Sequence, residues 1–135
     1  MKQPFLNHKV EGSGPNVVLL HPVGIDLTCW DGDVAALAPR YRLLRVDLRG
    51  HGGSSPAAPG ATLADYARDV HELLENLKFT PAAVVGLSFG GMITQTLAIN
   101  HPSDVSALAI CGCPCTLPDA EIGRASCRER VCELV

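Results

Sequence analysis

The chain has 135 residues, 47% of them hydrophobic and 19% charged, with a net charge of −3 and six cysteines. This length fits one domain that can bury roughly 68% of its unfolded surface. There is no basic patch for nucleic acid, no apolar run near the ~20 residues of a membrane span and no apolar signal core in MKQPFLNHKV, so a cytoplasmic protein with reduced thiols is expected.

In chain order, HKVEG reads as a first strand or hairpin arm and GSGP as a turn. Val17 to Leu20 then reads as a buried strand. HPVG is a loop, Trp30 follows it, and VAALAP is a short helix ending before Pro39. YRLLRVDL (41–48) is the next strand and RGHGGSSPAAPG a long loop. TLADYARDVHELLENLK is the clearest helix. Thr62 and Asp65 form a capping box, and Leu63, Ala67, Val70, Leu74 and Leu77 recur on one face. AAVVG is a buried strand, GMITQTLAIN a helix stopped near His101-Pro102, and VSALAI a further buried strand. Short apolar strands alternating with helices predict an α/β class fold, a mostly parallel sheet with helices on both faces.

The chemistry concentrates in VVGLSFGGM. A strand turning sharply into a helix forces its turn residue into strained geometry, and the positions two before and two after must be small. Gly86 and Gly90 occupy those positions around Ser88. Such a turn lifts the hydroxyl clear of the sheet and aims the free N–H groups of the helix at it. The Phe89 N–H then faces a developing oxyanion, a contact worth about 3–4 kcal/mol in acyl transfer. A bare G-x-S-x-G is weak evidence, arising by accident in about a few per cent of chains this long; the strand before it and the helix after it make it informative. The other reading of these glycines is a tight βα turn that needs them only for packing.

These residues resemble the α/β-hydrolase family. LLHPVG (19–24) is similar to its oxyanion loop, with Pro22 where glycine is usual, and Trp30 matches the aromatic residue that follows. VDLRGHGGS (46–54) is similar to the D-x-R-G-x-G-x-S loop, and NHPSDVSALAI to the approach to a later strand. GLSFGGM and DLTCW are nearest to 3-oxoadipate enol-lactonases and small esterases. The resemblance implies Ser88 as nucleophile, the backbone N–H groups of Phe89 and Val23 as oxyanion donors, and a small ester or lactone as substrate, without cofactor or metal. Carbon–carbon bond hydrolases and cofactor-free haloperoxidases share the scaffold. Haloalkane dehalogenases fit less well, because their nucleophile is Asp. The resemblance also implies an acid and a histidine well downstream of the serine, beyond Val135. The chain therefore reads as a truncated fold lacking lid and last strands, with little or no turnover. A non-catalytic hydrolase-like binding module, self-associating through an exposed sheet edge, is the alternative.

The local histidines read as structural. His21 belongs to the oxyanion loop, His51 to a flexible loop beside Asp47, and His101 to the end of the helix after Ser88. His71 and His8 read as fillers. Asp47 and Arg49 are expected to fix their loop by hydrogen bonds and an ion pair, and Asp104 and Asp119 come too early to be the acid. The hydrolase domain is expected over 1–120. The tail 121–135 has no expected strand or helix and resembles a translated sequencing adapter; the other reading is a natural disordered or weakly helical tail. Cys111, Cys113, Cys115, Cys127 and Cys132 fit zinc spacing poorly, so no metal is expected.

Overall fold

The structure, a computed structural model, describes residues 4–113, 126–128 and 131–134. Among them seven strands form one sheet: β1 (His8–Gly12), β2 (Asn16–Leu20), β3 (Arg42–Val46), β4 (Ala82–Leu87), β5 (Val105–Cys111), β6 (Ser126–Arg128) and β7 (Val131–Leu134). Their order is β1-β3-β2-β4-β5-β7-β6. Strands β3, β2, β4 and β5 run parallel, and β1 closes one side antiparallel to β3. The helices are α1 (Asp31–Leu37), α2 (Leu63–Leu77) and α3 (Phe89–Asn100), with 3₁₀ turns at Leu27–Trp30 and Pro102–Asp104.

Strands β2 and β3 are buried on both faces, which explains why they read as near-continuous apolar runs, whereas β4 alternates and β5 exposes Ser106 and Ala107. On one face, Val18, Leu20, Leu44, Val46 and Val84 pack under Ala67, Val70 and Leu74 of α2 and Ile93 and Leu97 of α3. On the other, Val17, Leu19 and Leu43 meet Val34 and Leu37 of α1 and Trp30. The expected helical layers on both faces are therefore present. Helix α2 starts as its sequence predicts: the Asp65 N–H donates to Thr62 Oγ1 at 3.3 Å, and the Thr62 N–H donates to the Asp65 carboxylate at 2.8 Å. It ends at Lys78, in left-handed geometry with φ 51°.

Two expectations change. The first strand is no hairpin arm of the second, because β3 lies between them. Gly12 and Gly14 have φ of 79° and 122°, and a Cβ on either would strike the backbone of residues 38–41. The turn is thus pressed onto the entry to β3, and that strand slots in beside β1. The tail, expected to carry no strand, forms a β6–β7 hairpin whose β7 pairs antiparallel with β5. An uncovered edge strand offers a row of unpaired N–H and C=O groups, and β7 satisfies those of β5. The sheet therefore ends on β6 rather than on β5. The expected domain boundary at 120/121 lies outside the described residues.

Candidate active site

Ser88 stands between the end of β4 and the first residue of α3, with φ 53° and ψ −112°. A non-glycine residue held there costs about 1–3 kcal/mol, so the surroundings must impose it. They do so through backbone bonds: the Ser88 N–H donates to the Cys111 carbonyl at 2.7 Å, and the Met92 N–H donates to the Ser88 carbonyl at 3.1 Å. The Ser88 hydroxyl makes no capping bond to α3.

The glycines are required by contact. A Cβ at Gly86 would meet the Gly90 carbonyl carbon at 2.6 Å and also collide with Thr94 Oγ1. A Cβ at Gly90 would lie 2.6 Å from the Leu20 carbonyl carbon and 2.8 Å from the His21 oxygen. Gly91, to which sequence reasoning gave no role, is also tight: its Cβ would fall 2.8 Å from Cys113 Sγ and 2.9 Å from Ile110 Cγ2. Helix α3 can therefore settle directly on the ends of β2 and β5, and its N-terminus opens beside the loop after β2.

That loop holds Val23, whose side chain is exposed. Among the described residues neither the Val23 N–H nor the Phe89 N–H is engaged in a turn, cap or side-chain hydrogen bond. The first N–H groups of a helix have no partner within it. Both candidate oxyanion donors are thus unoccupied by protein partners.

The loop is anchored by His21, which is fully buried. Its Nε2 accepts the Leu48 N–H at 2.9 Å, so the ring proton sits on Nδ1 and is donated to the Pro22 carbonyl at 2.7 Å. Burial lowers its pKa and keeps the ring neutral. With both nitrogens engaged it has no lone pair to offer Ser88. His51, expected on a flexible loop, is pinned as well: its Nε2 accepts the Gly24 N–H at 3.1 Å and its Nδ1 faces the Arg49 carbonyl at 3.1 Å. Its ring lies 5.0 Å from that of His21 and 6.3 Å from that of Phe89.

Asp47 and Arg49 both fix the 47–54 loop, but with separate partners. Buried Asp47 accepts from the Leu27 N–H at 2.7 Å, the Gly53 N–H at 2.9 Å and the Asn7 side chain at 2.8 Å. Arg49 makes a two-pronged pair with Asp69 of α2, both contacts at 2.7 Å. Sequence reasoning missed Asp69, which is buried on a helix that also carries the exposed polar residues Arg68, Glu75 and Asn76.

The remaining candidates lie elsewhere. His8 bonds its own segment through Leu6. His71 and Asp104 are hydrogen-bonded, and His101, at the C-terminal end of α3, stacks on His71. Asp119 and Cys115 lie outside the described residues. A groove of about 780 Å³ runs between α2 and residues 55–61 and is not lined by Ser88. No helix among the described residues is long and apolar enough to cross a membrane.

A family model described as alpha/beta hydrolase fold matches residues 15–126. The chain is 37% identical over 106 residues to a pimeloyl-[acyl-carrier protein] methyl ester esterase of Aeromonas hydrophila, covering 77% of this chain and 40% of that protein. It is 36% identical over 110 residues to a fluoroacetate dehalogenase of Burkholderia sp, covering 78% of this chain and 36% of the relative. Among solved structures it superimposes with a TM-score of 0.77 on Est816, described as an N-acyl homoserine lactone degrading enzyme, at 32% identity over 80% of this chain and 42% of that one. The chain thus spans less than half the length of each.

Proposed function

The chain belongs to the alpha/beta hydrolase fold family, and from that premise we propose that it carries the nucleophile half of a serine hydrolase acting on a small carboxylic ester or lactone. The observation that carries this reading is Ser88 held at φ 53° and ψ −112° between a parallel strand and the N-terminus of α3. Ser88 Oγ attacks the carbonyl carbon. Negative charge moves onto the carbonyl oxygen, which the N–H groups of Phe89 and Val23 receive. A preorganised donor costs no reorganisation at that moment, which is why such contacts are worth several kcal/mol.

The hydroxyl proton needs an acceptor. His21 and His51 both have their nitrogens engaged. The base and its orienting acid are assigned to sequence that the longer relatives have in addition. Without them turnover is slow, although donors and binding alone retain a residual ~10³–10⁴-fold over water in a well-studied protease. Substrates on the ester and lactone side are favoured by what the esterase and Est816 are named for. A hydroxyl at position 88 suits acyl transfer better than halide displacement by a carboxylate.

An activated aryl ester such as p-nitrophenyl acetate tests the reading. The expected result is one slow acetyl transfer to Ser88, located by peptide mass spectrometry, without catalytic cycling. Acetyl groups scattered over lysines and serines with no preference for Ser88 would favour a hydrolase-like binding module. Multiple turnover that disappears in Ser88→Ala would defeat the proposed inactivity.

A further inference from the structure

At the end of the sheet remote from Ser88, three chemically apt side chains from three elements converge. His71 comes from α2, His101 follows the last residue of α3, and Asp104 ends the second 3₁₀ turn. One ligand atom from each lies within 4.8 Å of the others. We propose that His71, His101 and Asp104 form a binding site for a divalent transition cation, Zn²⁺ or Ni²⁺ in kind, that clamps α2 to the end of α3. This inference does not rest on the role given to Ser88.

The donor set is two imidazole nitrogens and one carboxylate oxygen. Imidazole suits borderline cations such as Zn²⁺ and Ni²⁺, whereas Ca²⁺ and Mg²⁺ seek all-oxygen shells. Asp104 is buried, 4% exposed. Its Oδ2 lies 2.6 Å from His71 Nδ1. The His101 ring is stacked on that of His71, centroids 3.8 Å apart and planes 12° from parallel. Among the described residues the ring nitrogens of His101 have no hydrogen-bond partner, so turning the ring toward an ion breaks no hydrogen bond and costs only its stack on His71.

The distances are within reach. Bonds of about 2.0–2.2 Å around a tetrahedral centre set ligand atoms roughly 3.4 Å apart. A rotation of His101 closes the gap from 4.8 Å. On binding, the His71 proton moves from Nδ1 to Nε2, the Nδ1 lone pair goes to the metal, and Asp104 exchanges a hydrogen bond for a metal–oxygen bond. Water supplies the fourth ligand; the Glu75 carboxylate, 3.6 Å from His71 Nε2 and largely exposed, faces the ring nitrogen that does not bind the ion. Helix α3 is twelve residues long, about 18 Å at 1.5 Å per residue. That length separates the cluster from Ser88, so the ion ties helices together and takes no part in acyl transfer.

Zn²⁺ titration into the ¹⁵N-labelled chain tests the site through the ring-nitrogen resonances of individual histidines. Zn²⁺ held by thiols elsewhere does not move those nuclei. The expected result is saturable movement of His71 and His101 together, with His8 and His51 unmoved, and a thermal midpoint that rises with Zn²⁺. His101→Ala, with far-UV circular dichroism as the folding check, should weaken this binding at least tenfold. Resonances of His71 and His101 that stay fixed at millimolar Zn²⁺ would overturn the proposal, as would unchanged His71 binding in folded His101→Ala. The wild-type resonances decide the matter alone should the variant not fold.

Discussion

Replacing Gly90 by alanine sets two effects of opposite sign against each other. In an ordinary helix the change gains up to about 1 kcal/mol, because glycine gives up more backbone freedom on folding. At this position the new Cβ meets the carbonyl carbon of Leu20 at 2.6 Å and the His21 oxygen at 2.8 Å. These are backbone atoms at the end of β2, so the strand or the whole of α3 must shift. Forced overpacking costs about 1–3 kcal/mol, with the upper end fitting a rigid neighbour. The net loss is therefore about 2 kcal/mol, a fall in Tm of roughly 8 °C for a chain of this size. Gly32 in α1 supplies the control, since a Cβ there meets nothing within 4 Å. Gly32→Ala should be stabilising by about 0.5–1 kcal/mol. Urea unfolding followed by circular dichroism at 222 nm measures both. If Gly90→Ala proves as stable as wild type, the close approach of α3 to β2 is wrong and the argument for the strained serine goes with it.

Ser88→Gly removes the penalty of a side chain at φ 53° while adding chain entropy, so it should raise stability by about 1 kcal/mol in the same urea assay. Lower stability would mean that the turn is not strained. Asp47→Ala orphans the Leu27 and Gly53 N–H groups and should cost about 3 kcal/mol or more, with Asp47→Asn milder because one acceptor remains. Equal costs would show that charge and acceptor count do not matter there. The folded pKa of His21 lies below its ordinary value of 6.5. The unfolded chain therefore binds the proton more readily, so this contribution is full above about pH 6.5 and is lost as pH falls toward the folded value. His21→Gln should flatten the stability curve in that window, and an unchanged slope between wild type and variant would refute the buried neutral ring.

Elements set by local chemistry were legible in the sequence. The Thr62–Asp65 box, the apolar stripe of α2 and the glycines flanking Ser88 each state their geometry within a few residues. Partnerships across the chain were not. Arg49 with Asp69, and His71 with Asp104, are separated by 20 and 33 positions, and no local rule pairs them. The insertion of β3 beside β1 was hidden for the same reason, because strand order depends on how loops cross the sheet. His51 was misread as mobile since its partner, the Gly24 N–H, carries no side-chain signal. The tail gave the opposite error. SCR and VCEL are weak strands alone, and only the available edge of β5 gives them a register.

The hydrogen bond from the Ser88 N–H to the Cys111 carbonyl ties the strained turn to the last residue of β5. On its other side Cys111 is paired with Val131 of β7. For the nucleophile proposed at Ser88, the strand docked on β5 is thus part of the frame that aims the hydroxyl, at one remove and through the backbone alone.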